Sequence, residues 1–419
     1  MRVQWLSSAA LLALIAAPGA FAQQVTSNEP FTIKLSGSSQ AALQFVQPSD
    51  SVKNAQLQDA DGNGLTLDND AKTPVKDSLN AMQIVNKTRI NINGDAKVNG
   101  IGYGVATTIE LSNNGVNNSG LANYIYVAPE GAGKITLGQT PYNADYAGFD
   151  GSMTWGTASF VSFGPGYGWG GNATGMAGKT AVMADIIDGS TMDNDSGPKI
   201  SYNTPSLVGL SAVVAFQPTN TKDGWKGKLS KNADGAGFFN NLVQVGASYT
   251  APDMGGVVLG LAGAYMRGTA STVASVIDKE KSTTLVSIKK YEDMGAYQGR
   301  ISASGYGLMA QFVYTGEGKS GLEKGGKNSN DVSGMSGSLA YAMGPAQMGV
   351  YFGMANLADK SKTTAMGVGA SYNVAKGAQV FAGYEAFTVK PDSSNKDAEG
   401  KALPEQTAGA VTVGMAVSF

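Results

Sequence analysis

The chain has 419 residues and a formal charge of −2, and it contains 57 glycines but neither cysteine nor histidine. The two absences exclude disulfide frameworks, thiol nucleophiles, iron–sulfur clusters, Cys- or His-ligated zinc and a Ser-His-Asp relay. A hydrophobic content of 42% is too high for a disordered chain, and a pI near 5.4 gives no electrostatic footprint for nucleic acid.

The first segment, 1–22, reads as a secretory signal peptide. Arg2 supplies the positive start, Leu6 to Ala17 form the apolar run, and Pro18-Gly19 breaks it before the small-residue cleavage site Ala20-Phe21-Ala22. The apolar run falls short of the ~18 residues that a membrane-spanning helix needs. The mature chain is expected to begin at Gln23 and to form one domain, 23–419, its formal charge shifted from −2 to −3 by the loss of Arg2.

Beyond Gln23 the recurring signal is period two. Sixteen strand candidates start near Phe31, Met82, Gly100, Leu121, Gly133, Pro198, Gly209, Asn240, Gly256, Met294, Gly307, Val332, Pro345, Thr363, Gly377 and Thr407. In the third, Ile101, Tyr103, Val105, Thr107, Ile109 and Leu111 alternate with Gly102, Gly104, Ala106, Thr108, Glu110 and Ser112. In the last, Val411, Val413, Met415, Val417 and Phe419 alternate with Thr412, Gly414, Ala416 and Ser418. Each such strand has one bulky apolar face and one small or polar face.

A soluble sandwich could show the same alternation, so the links between strands decide. Tight turns fall near Pro129 to Gly131, Ser206 to Val208, Pro252 to Gly255, Gly305, Gly344 and Ala375-Lys376. The intervening links are mostly long and polar: 47–81, 142–197, 219–239, 269–293, 317–331 and 391–406. Short turns at one end, long loops at the other and an even strand number describe an antiparallel transmembrane β-barrel. Lipid offers backbone groups no hydrogen-bond partner, so the sheet has to close. With about sixteen strands the lumen is too wide for side chains to fill. Small inward residues, glycine above all, keep the bore open.

At this point the sequence resembles the general porins of Gram-negative outer membranes. The segment Thr88-Arg89-Ile90-Asn91-Ile92-Asn93-Gly94, followed by Gly104 to Glu110, looks like the family's second and third strands. Ile135-Thr136-Leu137-Gly138-Gln139 is similar to the strand leading into the constriction loop, and Ile200 to Ser206 with Gly209-Leu210 to the strand and turn that leave it. The terminal Phe419 fits the family's C-terminal aromatic. The resemblance implies an all-β, 16-stranded antiparallel barrel in the outer membrane, assembled as a homotrimer. It implies an inward-folded third external loop, and 142–197 is the third link on the long-loop side. Two features depart from the pattern: Gln139 stands where the family commonly has Arg, and the usual Pro-Glu-Phe-Gly-Gly loop tip is absent. The implied function is a water-filled channel for passive diffusion of ions and small hydrophilic solutes. A substrate-selective channel, for instance for sugars, and a secreted soluble β-adhesin are the alternatives. With no histidine, a barrel hydrolase is the weakest reading, and no enzyme activity is expected.

Strand parity puts Lys34, Lys87 and Arg89 on the polar face, facing the loop acids Asp145, Asp150, Asp185 and Asp188 across the pore. The alternative for each acid is a turn cap or a group in external water. Trp155, Tyr167 and Trp169 in the same loop are candidates to stack on a solute, against the plainer role of packing the loop on the wall. In the first long link, Asp59, Asp61, Asn63, Gly64 and Asp70 match an EF-hand calcium loop at positions 1, 3, 5, 6 and 12, without flanking helices. Such residues also dominate ordinary exposed turns. Otherwise no cofactor is expected. The expected partners are outer-membrane lipid, a second and third copy of the chain, and small hydrophilic solutes.

Overall fold

In the computed structural model the described residues are 23–26, 31–48, 82–112, 115–140, 198–219, 239–270, 273–277, 285–325, 330–394, 402 and 405–419. The period-two segments form strands, as their alternation requires. They are β1 (Phe31–Pro48), β2 (Met82–Val98), β3 (Ile101–Ser112), β4 (Gly115–Pro129), β5 (Lys134–Gln139), β6 (Lys199–Asn203), β7 (Leu210–Thr219) and β8 (Phe239–Thr250). The remainder are β9 (Val257–Ala270), β10 (Met294–Gly305), β11 (Leu308–Gly318), β12 (Val332–Met343), β13 (Ala346–Asn356), β14 (Lys362–Ala375), β15 (Ala378–Lys390) and β16 (Gln406–Ser418). All sixteen expected strands are present.

Each strand pairs antiparallel with the next, and β16 pairs with β1 from Ala408↔Pro48 to Ser418↔Ser38, so the sheet closes on itself. Phe419 and Gly37 complete the seam by exchanging backbone hydrogen bonds of 2.9 and 3.0 Å. Beyond them a short strand, Gln23–Thr26, takes the edge of β1 that β16 no longer covers, pairing Gln23↔Leu35 through Thr26↔Thr32.

The two faces are inverted relative to a soluble protein. On β16, Val413 and Met415 are 49% and 53% exposed, whereas Ala410 and Thr412 between the strands' inner faces are 1% and 2% exposed. The exposed face of the sheet is the apolar one. Its aliphatic middle is bounded by aromatic residues at both ends. Near the short turns stand Tyr103, Tyr202, Tyr249, Tyr341 and Tyr372; near the long links stand Phe216, Tyr265, Tyr297, Tyr314, Phe352 and Tyr384. Two aromatic girdles around an apolar band are the signature of a barrel held at two lipid–water interfaces.

Inward glycines do more than leave the bore empty. A Cβ on Gly104 would lie 2.7 Å from the Tyr126 ring, one on Gly367 2.3 Å from Tyr351, and one on Gly414 2.5 Å from Phe381. Each glycine is a slot in which an inward aromatic lies flat against the wall. The bore is kept open by folding the large side chains down as well as by omitting them.

Three details differ from the sequence reading. β4 begins at Gly115 rather than near Leu121, with a register shift between Thr108 and Glu110 of β3 that absorbs the irregular stretch. The link 269–293 contains a hairpin of its own, Val273–Ile277 paired with Leu285–Lys289. β11 runs on to Gly318, past the expected start of its loop. In each case the alternation is too short or too polar to register as a strand on its own, and pairing with a neighbour supplies the hydrogen bonds that sustain it.

Several short turns have two consecutive residues with positive φ, as two-residue hairpins require. Asn99-Gly100 has the preferred composition; Val208-Gly209 does not, because β-branched Val208 sits at φ 51°. The substitution Val208→Asn is therefore expected to stabilise the barrel by about 0.5 to 1 kcal/mol, read as a raised denaturant midpoint. The facing of Val413 is tested by a pair of substitutions. Val413→Arg is expected to cost about 2 to 4 kcal/mol in a lipid-reconstituted barrel. Val413→Phe is expected to cost under about 1 kcal/mol, since lipid has room that a close-packed interior lacks. A large cost for the phenylalanine would place Val413 inside protein.

Candidate functional site: the lumenal wall

Alternation and register together fix what faces the lumen. On β1 the lumenal positions are Lys34, Ser36, Ser38 and Gln40; their partners on β2 are Asn93, Asn91, Arg89 and Lys87. β3 continues the rows with Ala106, Thr108, Glu110 and Ser112. Lys34 and Arg89 thus stand on the polar wall, as parity predicted, and Lys87 occupies the position next to Arg89 along the same face. An arginine at the Arg89 position would cost ~2 to 4 kcal/mol if it faced lipid, which fixes the choice of face.

Lys34 belongs to a network nearer the short-turn end. Lys34 Nζ lies 3.8 Å from Asp95 Oδ2, and the Tyr126 hydroxyl donates to Asp95 Oδ1. Lys134 Nζ stands 5.7 Å from the centre of the Tyr126 ring, within reach of a cation–π contact. At the rim Lys97 pairs with Glu130 at 3.0 Å. On β6, Lys199 is buried on the lumenal face beside Ser201. Thr108 donates to Asn91 Oδ1 at 2.8 Å, extending the polar lining toward the long links.

The far side of the wall is different. Val213, Phe239, Leu242, Met266, Met294 and Ala296 form an apolar cluster on the inner face of β7 to β10. Next to it polar residues return. Gln298 Nε2 donates to Thr315 Oγ1 at 3.2 Å, and Arg300 and Ser302 follow on β10. The row continues from Ser302 to Gln311, Ser338, Tyr351, Gly367 and Glu385 across β10 to β15. Glu385 is buried, and its Oε1 accepts the Tyr351 hydroxyl at 2.9 Å, which passes over Gly367 to reach it.

Of the residues singled out from the sequence, Lys34 and Arg89 are placed on one wall, and Lys87 shares it by register. The acids Asp145, Asp150, Asp185 and Asp188, the aromatics Trp155, Tyr167 and Trp169, and the calcium candidates Asp59, Asp61, Asn63 and Asp70 lie outside the described residues. Sequence reasoning missed Asp95, Tyr126, Lys134, Lys199, Arg300 and Glu385. Parity alone could have found Arg300, because Gln298, Arg300 and Ser302 alternate with Tyr297, Gly299 and Ile301. Tyr126 could not be found so, since Ile125, Tyr126 and Val127 are all bulky and only the cross-strand register separates their faces.

A family model described as Gram-negative porin matches residues 8–392. No curated protein sequence matches the chain. Among solved structures, in-vitro folded OmpT, an outer membrane protein of Vibrio cholerae, superposes with a TM-score of 0.54 at 12% identity, covering 95% of this chain and all of that one. The anion-selective porin from Comamonas acidovorans gives 0.51 at 14% identity, covering 93% of this chain and 100% of its own. A substituted Rh. blastica porin gives 0.50 at 16% identity over 92% of this chain and 100% of its own. At these identities the structures testify to the fold, and the family match carries the assignment. The closed sixteen-stranded sheet, its apolar outer face and its polar inner wall agree with that match, and the chain belongs to the Gram-negative porins, the channel-forming β-barrels of the outer membrane.

Proposed function

We propose that the barrel passes ions and small hydrophilic solutes by passive diffusion, without catalysis, and works as a homotrimer after removal of residues 1–22. The observation that carries this reading is the inversion of faces: apolar side chains point out of a closed sheet, and hydrogen-bonding ones line its inside apart from the cluster on β7 to β10. Residues 142–197 would supply acidic groups opposite Lys34 and Arg89, giving a field across the pore that orients dipolar solutes. By register and parity, the wall positions of Lys34, Lys87, Arg89, Lys134, Lys199 and Arg300 outnumber those of Asp95, Glu110 and Glu385, which supports a weak preference for anions.

The outer face of β1 to β4 supports the assembly. There Ser39 and Thr88 hydrogen-bond at 2.8 Å and Thr107 donates to Asn123 at 3.4 Å, both pairs on the outward side. Paired polar groups on an outer wall suit a protein neighbour better than acyl chains.

Planar-bilayer recording tests the channel directly. Ohmic steps in groups of three and a reversal potential well short of the Nernst limit are expected; an absence of steps would dispose of the proposal. Replacing both Lys34 and Arg89 by Gln leaves Asp95 less balanced, so the reversal potential is expected to move toward cation preference. The cysteine-free chain also permits a clean cross-linking test. Ala41→Cys, on the outer face of β1, is expected to give cross-linked species between copies, whereas Val350→Cys on β13 is not.

A further inference from the structure

The lumenal wall of β8 to β12 contains a recess of about 280 Å³, set toward the short-turn end of the barrel. Its polar lining includes Ser248, Arg300, Ser302, Gln311 and Ser338. The register places Ser302 opposite Gln311 and Gln311 opposite Ser338, so three of these side chains lie in a row across three strands, spaced ~5 Å apart. Arg300 precedes Ser302 by one inward position on the same strand. All five side chains can donate hydrogen bonds, and none of the described lining residues is acidic.

Two details indicate a built site. A Cβ on Gly260 would fall 2.5 Å from Ser302 Oγ, so the glycine leaves the room in which that hydroxyl stands. The Gln311 Nε2 atom is shielded from solvent and has no hydrogen-bond partner among the described residues. A donor that has lost water without gaining an acceptor is costly, and a small rotation of the Gln311 amide toward an anion oxygen in the recess would recover that cost.

We propose that this recess is a binding subsite for a compact oxyanion, a carboxylate or phosphate group, with the Arg300 guanidinium as counter-charge and Gln311 and Ser338 as neutral donors. The proposal rests on the porin reading and refines it by naming a solute class that pauses on the wall. An uncharged sugar fits less well, because it would bring no charge to face the guanidinium in a recess rich in donors.

The test is conductance of the purified full-length protein in a planar bilayer, with sodium succinate and inorganic phosphate as separate probes. In the wild type the current is expected to saturate as the probe concentration rises. Arg300→Gln is expected to raise the half-saturating concentration about tenfold, and Gln311→Leu about fivefold. Lys376→Gln, at the turn between β14 and β15, removes the same charge away from the recess and is expected to leave saturation as in the wild type. Circular dichroism of each purified variant verifies that the β-barrel has folded, and if Arg300→Gln does not fold, Gln311→Leu carries the test. Saturation by both probes, or by one, supports the site and names the group it prefers. An unchanged half-saturation in a folded Arg300→Gln barrel overturns it, as does an equal shift in Lys376→Gln, which would mean a diffuse field instead of a site. Linear succinate and phosphate currents with normal potassium chloride steps remove the subsite alone; no steps in potassium chloride remove the porin reading itself.

Discussion

Everything in this molecule follows from the need to leave no backbone hydrogen bond unmade in hydrocarbon, where each unpaired group costs several kcal/mol. A sheet meets that need only by closing, and closure depends on one seam, β16 against β1. The last residue, Phe419, both donates to and accepts from Gly37, and its ring occupies the space over that glycine, where a Cβ would lie 2.8 Å from the ring. The strand Gln23–Thr26 then continues along the same edge of β1, nearly in line with β16. Gln23–Thr26 and β16 together cover one edge of β1, and the Phe419 ring is a structural part of the closure.

Closure separates an outside from an inside, and the side-chain alternation then does the rest. Because the pleat has period two, a strand that shows valine or methionine to lipid must show its intervening residues to the lumen. The aromatic-over-glycine slots reconcile this strict alternation with a wall that still carries large inward side chains. Tyr126 over Gly104 reaches Asp95, and Tyr351 over Gly367 reaches Glu385. In both cases a tyrosine hydroxyl is delivered to a carboxylate two strands away, and the slot holds the ring against the wall instead of across the bore.

The strands were legible in the sequence because alternation and turn chemistry are local properties. All sixteen appear, most within a residue or two of their expected starts, and the lumenal placement of Lys34 and Arg89 followed from parity and the cost of charge in lipid. What was not legible depends on register. The Lys34–Asp95–Tyr126–Lys134 network joins residues 34, 95, 126 and 134, which belong to four strands, and no local pattern announces their meeting. The hairpin at 273–289 escaped for the opposite reason: its two five-residue strands are too short for their alternation to stand out from a polar link.

The inner wall is chemically divided, and the division has a physical consequence for solutes. Basic side chains cluster on β1 to β6, the apolar cluster lies on β7 to β10, and a second polar row runs from Ser302 to Glu385. A charged solute cannot interact equally with all three sectors. Val213, Leu242 and Met266 are each 2% exposed, so that sector offers a solute no hydrogen-bonding group, whereas the basic side chains of β1 to β6 do. A path that stays polar therefore runs along part of the circumference only, and Arg300 lies on it, next to the apolar sector and at the head of the polar row.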